Sequence, residues 1–370
     1  MRKINIKCQW YIIVIVVCLC CFSILCWAMF AKRLGTAILS RSSASIDSLW
    51  NGAVFKQGDL SRIDSVYTYF TTGEIKSVQV VIGKEKWLFY KSTADGNPIA
   101  DFEGTNSYNS VEMNSILDSA MQMQEKLAVR GIHFATMIAP NKENIYSEFM
   151  PDTYTHSEIS RTDILIDFLK ENGVNIISPK AELLDKHSKF QLYYSYDTHW
   201  NQLGAYIGAW NVLKAWDIHI PALEERTIKS YNLAENDYSC VEDDLAKMTG
   251  LGAGVFNDEL EYCVDGTIPV DWEKYGEEQG KGISYYSNPH ALENASILLV
   301  GDSFRTAMIP VLRETFADVY VVHRSLYTVD LLDEIKPEYM LLEYVERYSN
   351  EMKNMDIFVT SPAKGLSTGS

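Results

Sequence analysis

Two short stretches of this 370-residue chain carry residue types that do acid–base and nucleophilic chemistry. In YYSYDTHWNQLG, Asp197 and His199 stand two positions apart; further on, ILLVGDSF runs an apolar segment into Gly301, Asp302 and Ser303. A serine becomes nucleophilic when a base takes its proton, and the base works best when a third group orients it. Ser303, His199 and Asp197 are the types for those three roles. The same carboxylate and imidazole could instead ligate a metal, but such sites usually need a third or fourth protein ligand. His133, His156, His187, His219, His290 and His323 form no spaced cluster. Both stretches could also be ordinary loops, since Gly-Asp-Ser is common in turns. Spacing alone leaves the three readings open.

Placing these residues depends on the elements around them. On an extended segment, positions two apart face the same side, which would set Asp197 beside His199. Residues 110–130 repeat apolar side chains (Ile116, Ala120, Met123, Leu127) at helical spacing and stop at Gly131. IHFATMIAP then reads as a buried strand, RTDILIDFLKENG as a second helix, VNIIS as a second strand and QLGAYIGAWNVLKAW as a third helix. The alternation resumes with SILLVGDSF, DVYVVH and EYMLLEYVE. Strands alternating with helices predict an α/β domain with a mostly parallel sheet covered on both faces. Such sheets carry their sites at the C-terminal strand ends. Ser303 falls where a strand yields to a helix start, whose N–H groups stabilise developing negative charge; Gly301 permits the sharp turn before it.

The segment expected to lie outside that pattern is the front of the chain. Residues 10–31 carry no charge, the length a helix needs to cross a bilayer, and Lys32-Arg33 follows directly. An uncleaved signal anchor with residues 1–9 in the cytoplasm is expected, placing the protein in the cell membrane as a single-pass chain with its bulk outside. Residues 32–75 read as a stalk or linker, 76–350 as the domain, 219–289 as an insertion or cap and 351–370 as a tail. VVIGKEKWLFYK predicts a hairpin at the domain's front. All 49 acidic residues but only 28 of the 33 basic ones lie beyond Arg33. That negative field repels nucleic acid phosphates, so no nucleic acid partner is expected. Of seven cysteines only Cys240 and Cys263 lie in the outer part, either paired or free.

The pieces YDTHWNQLGAY and LLVGDSF, with GKEKWLFY, IAPNKENIYSEFMP, DDLAKMTGL and KPEYMLLEYVERY in the same order, resemble the SGNH-hydrolase-like proteins grouped with the alginate O-acetyltransferases and the bacterial DHHW proteins. The resemblance implies a three-layer α/β/α domain and a triad of Ser303 (nucleophile), His199 (base) and Asp197 (orienter). Thr198 stands where the DHHW name would want a histidine. The resemblance also implies a membrane-anchored O-acetyltransferase acting on an extracytoplasmic polysaccharide, with a membrane-bound O-acyltransferase as acetyl donor and no metal or cofactor. An acetyl esterase and a non-catalytic docking module are its rivals. Neither the Gly nor the Asn block of ordinary family members is evident. Asn141, Arg347 and Gly301 are the candidates for binding substrate or an oxyanion, while Trp200 and Asn201 are expected to shape the loop.

Overall fold

Among the described residues six strands form the central sheet, the inner ones with continuous apolar runs. They are β3 (His133–Ala139), β4 (Ile176–Ile177), β7 (Ile283–Ser287), β8 (Glu293–Gly301), β9 (Phe316–His323) and β10 (Tyr339–Val345), in the order β4-β3-β10-β8-β9-β7. All neighbours are parallel except β7, which runs antiparallel to β9 at the edge. The structure is a computed structural model and describes residues 6–39, 59–75, 77–232, 244–251, 255–256, 259–265 and 282–360.

Why these runs are continuously apolar follows from the layers. In β8, Ile297 and Leu299 join Trp200, Leu203, Ile207 and Leu312 on one face, whereas Leu298 and Val300 join Ile116, Met123, Leu165 and Leu332 on the other. A strand covered on both faces buries both side-chain sets, so the polar alternation of a half-exposed strand is lost. The covering helices begin at identifiable caps. Asn109 and Ser160 each form a capping box for helices Ser110–Val129 and Arg161–Glu171, and Asn201 caps helix Gln202–Ala215. At the far end of the first helix Gly131 takes φ +72°, the left-handed conformation that closes a helix without a Cβ penalty. The hairpin read at the domain's front is present as β1 (Val80–Ile82) paired with β2 (Leu88–Tyr90).

Two expected boundaries need correction. The expected insertion or cap at 219–289 overlaps the main sheet at its C-terminal end. β5 (Ile228–Asn232) and β6 (Leu260–Val264) pair with each other, but β7 joins the main sheet. The alternation of ISYYS is too weak to announce a sheet edge. The tail does not begin at residue 351 either. The 3-10 helix Glu346–Phe358 buries Met352, Met355 and Phe358 in the same apolar cluster as Ile116 and Met123. Its mostly polar sequence obscures Met352, Met355 and Phe358, three positions apart on one face.

The chain divides into Met1–Glu74 and Ile75–Ser370. The first unit holds helices Ile6–Leu39 and Asp59–Thr72. Residues 10–31 lie inside the first of these; among the described residues no helix is long and apolar enough to cross a membrane. Residues 40–58, within the expected stalk, and Cys240, one of the two outer cysteines read as either paired or free, lie outside the described residues.

The sheet's register prepares the site. Val345 of β10 pairs with Ala139 of β3, and Leu342 with Val300 of β8. Asn141, Arg347 and Ser303 therefore each stand two residues beyond the C-terminal ends of three adjacent parallel strands.

Candidate active site

His199 reaches the site on a tight loop closed by pairing of Tyr193 with Trp200. Within it Tyr194 N–H donates to the His199 carbonyl at 3.2 Å, and Asn201 N–H to the Leu192 carbonyl at 3.0 Å. Asp197 lies at the tip, wholly buried. Its segment is a bend, not the extended stretch expected. The two side chains meet because Asp197 Oδ1 accepts the backbone N–H of His199 at 2.9 Å, an Asx-type turn that folds the imidazole back. The same oxygen lies 2.5 Å from His199 Nδ1.

Ser303 is presented from the opposite side. Asp302 caps the 3-10 helix Ser303–Met308: its Oδ1 accepts Phe304 N–H at 3.0 Å and its Oδ2 accepts Val345 N–H at 2.8 Å. The serine turn is thus tied to the end of β10. Trp200 Nε1–H donates to the Phe304 carbonyl at 2.8 Å, joining the histidine loop to that turn. Ser303 is exposed and its Oγ lies 2.6 Å from His199 Nε2. Trp200 and Asn201 do shape the loop, as the sequence suggests.

A carboxylate can only accept, so Nδ1 carries the hydrogen and Nε2 is left to accept from the Ser303 hydroxyl. Burial raises the Asp197 carboxyl, but the His199 charge and hydrogen bond, with the amides of Asp244 and His199, outweigh it and hold the group below the ordinary carboxylate range. For His199 burial lowers the imidazole, yet Asp197, with Asp244 behind it, outweighs burial and raises the group above its usual value. An imidazole held by a buried carboxylate and facing an exposed hydroxyl can draw that hydroxyl's proton.

Two residues that the sequence reading assigned no role complete the support. Asp244 N–H donates to Asp197 Oδ2 at 3.0 Å, and the Asp244 carboxylate accepts Thr198 N–H at 2.8 Å and the Thr198 hydroxyl at 2.6 Å. Lys142 is buried; its ammonium donates to the carbonyls of Tyr194, Ser195 and Asp197 at 3.1, 3.2 and 2.7 Å. Burial brings it down to about 8, against the opposing charges of Glu259, Asp197, Asp244 and Glu143. The signals were the DDLAKMTGL and PNKEN segments, which nothing local connects to the loop.

Asp197, His199 and Asp244 also cluster closely enough to offer a metal three ligand atoms. Each carboxylate oxygen of the two aspartates already accepts a protein N–H or O–H, so a cation would have to displace those donors.

Of the remaining candidates, Asn141 and Arg347 lie together. With Tyr90, Thr198 and others they line a cavity of about 10 Å³, about the room one water needs. The Asn141 side chain is 2% exposed, and neither of its amide atoms has a hydrogen-bond partner among the described residues. Arg347 sets its guanidinium over the rings of Tyr348, Phe304 and Tyr90 at 5.0, 5.6 and 5.8 Å. The carboxylate of Glu346, next to it in the chain, accepts from Asn141 N–H, the Asn144 amide and the Ser160 hydroxyl. Gly301 is placed apart from them: its carbonyl accepts Arg324 N–H, and a Cβ there would collide with Glu343 Oε2.

The family model described as "SGNH hydrolase-like domain, acetyltransferase AlgX" matches residues 80–319, a span that contains Asp197, His199 and Ser303. The chain belongs to this family. Its AlgX-type domain has the α/β fold of a DHHW family protein from Eubacterium siraeum, with 16% identity and a TM-score of 0.51 over 76% of this chain and 99% of that one. Bacillus cereus PatB1 (15% identity, TM-score 0.47, covering 73% and 96% of the two chains) is also similar. So is the O-acetyltransferase domain of Pseudomonas putida AlgJ (16%, 0.46, 73% and 92%). No curated protein matches the chain.

Proposed function

We propose that the protein is a membrane-anchored O-acetyltransferase that modifies an extracytoplasmic polysaccharide through an acetyl-serine intermediate. The observation that carries this reading is the hydrogen-bonded chain from buried Asp197 through His199 to exposed Ser303. Membership of the AlgX-type acetyltransferase family supports the acetyl group as cargo and polysaccharide as the acceptor class.

In the first half-reaction His199 Nε2 takes the Ser303 proton as Oγ bonds to the acetyl carbonyl carbon. The tetrahedral oxyanion collapses, the donor's leaving oxygen departs with the proton from His199, and Ser303 carries the acetyl ester. In the second half-reaction a sugar hydroxyl gives its proton to His199 and attacks the ester carbonyl; Ser303 leaves and recovers the proton. The oxyanion sits against the first amide of the serine helix, which has no intrahelical partner, and the unspent amide of Asn141. Arg347 stands beside Asn141 as a positive group for an acyl or sugar oxygen.

Residues 10–31, uncharged and helical, anchor the chain with its N-terminus inside. The acetyl group then comes from a membrane-bound O-acyltransferase. The second reading, an acetyl esterase, uses the same residues with water as acceptor and is favoured by the openness of Ser303 to solvent. Incubating the full chain with p-nitrophenyl acetate and oligosaccharides separates the two. Acetylated sugar in excess of free acetate establishes transfer; acetate alone establishes the esterase.

A further inference from the structure

Glu343 lies at the centre of the sheet, and the proposed chemistry does not touch it. It is wholly buried in β10, the single ionisable group but for tyrosines in an otherwise apolar strand, YMLLEYV. By strand alternation it faces the same side as Leu341 and Val345, towards the serine turn. Its Oε2 accepts the backbone N–H of Asp302 at 3.1 Å and fills the space a side chain at Gly301 would need. Its side chain also reaches the Asp302 carboxylate. Glu343 Oε1 is buried, and no donor among the described residues is directed at it.

Those contacts suit one protonation pattern. Both Asp302 oxygens accept backbone N–H groups, so Asp302 serves as acceptor. A second buried carboxylate against it, with one oxygen unpartnered, would combine like-charge repulsion with an uncompensated desolvation cost. A carboxylic acid in the same place donates its O–H to Asp302 and removes both costs. We propose that Glu343 is a positioning residue: as a neutral acid it shares one proton with Asp302, and through the Asp302 amide and carboxylate it aims Ser303 at His199.

The surroundings agree. Burial pushes the Glu343 carboxyl well above its ordinary range, and Asp302 adds to the rise. Arg305, whose guanidinium bonds the Asp302 carbonyl, opposes it; the phenols of Tyr193 and Tyr344 also feel the Glu343 charge. Because the folded state keeps a proton that the unfolded chain releases above 4.5, stability falls as pH rises from there towards the folded value. A glutamine donates and accepts in the same place with no proton to take up.

The test uses the full chain as wild type, Glu343→Gln and Glu343→Ala. Thermal melts from about pH 5 to about pH 8 should show Glu343→Gln gaining on wild type as pH rises. In parallel, Ser303 acylation by p-nitrophenyl acetate should stay within about twofold in Glu343→Gln and fall about tenfold or more in a folded Glu343→Ala. A melt difference that is flat in pH, or that turns against glutamine at high pH, overturns the proposal; so does full acylation by Glu343→Ala. The acylation arm rests on the proposed acetyl-serine, whereas the melts do not. A wild type that never acylates therefore contradicts that reading and leaves the melts to decide Glu343.

Discussion

One oxygen of Asp197, Oδ1, serves His199 twice, accepting its backbone N–H at 2.9 Å and facing its ring Nδ1 at 2.5 Å. The backbone bond fixes where the imidazole starts and the ring bond fixes which way it turns, so a single carboxylate sets both position and tautomer.

Asp197→Asn tests that double role. An amide keeps the size but can present an N–H to Nδ1, reversing the tautomer that leaves Nε2 free to accept. Acetylation of Ser303 should slow by about 10⁴-fold with the fold intact, the order lost when an orienting aspartate becomes asparagine. A variant within a few-fold of wild type would show that Asp197 does not orient the base.

The pH dependence follows from the sign of the His199 shift. Asp197 and Asp244 together hold the imidazole above its ordinary 6.5, and only the neutral ring can take the serine proton. The acid limb of kcat/KM should therefore lie above 6.5, with activity rising through it. The protonated ring paired with Asp197 also contributes stability that is complete below 6.5 and is lost as pH climbs through the folded value. Asp244→Asn removes one of the two raising charges, so its limb should move to lower pH. A limb that stays in place would remove Asp244 from the electrostatics of the site.

Lys142→Met isolates the support beneath the loop. It strips the donor from three carbonyls in the segment that carries Asp197. Hydrogen bonds to a charged group are worth about 1.5–3 kcal/mol, and a loss of about 3 kcal/mol in urea unfolding is expected. An unfolding curve that overlays the wild type would show that the loop holds itself.

Gly301→Ala probes the close approach behind the serine. The added methyl would meet Glu343 Oε2 and must push it or the strand aside. Overpacking of this kind costs about 1–3 kcal/mol, readable as a lower denaturation midpoint, together with a slower Ser303 acylation. No change in either would mean that the glycine serves only the turn.

Much of this was legible in the chain because the signals were local. A buried parallel strand announces itself by a continuous apolar run, as ILLV does before Gly301, and a helix by its apolar repeat, as Ile116, Ala120, Met123 and Leu127 do before Gly131. Asp197, His199 and Ser303 stood out because their types and strand-end setting had a chemistry in common. What the sequence hid were long-range couplings. Nothing near Lys142 says that it will end among the carbonyls of residues 194–197, and nothing near Asp244 says that its amide will reach Asp197. The spacing of Asp197 and His199 pointed to the right meeting for a different reason: an Asx turn, not strand alternation, brings them together. Glu343 was visible as one acid inside an apolar strand, but its meaning depends on Asp302, just beyond the end of the neighbouring strand.

The most direct measurement is the mass of the Ser303 peptide after brief exposure of the full chain to p-nitrophenyl acetate, with His199→Ala alongside. An acetyl group on Ser303 in the wild type, absent from folded His199→Ala, is the expected result. Unmodified Ser303 in both, from folded protein, would contradict the acetyl-serine account.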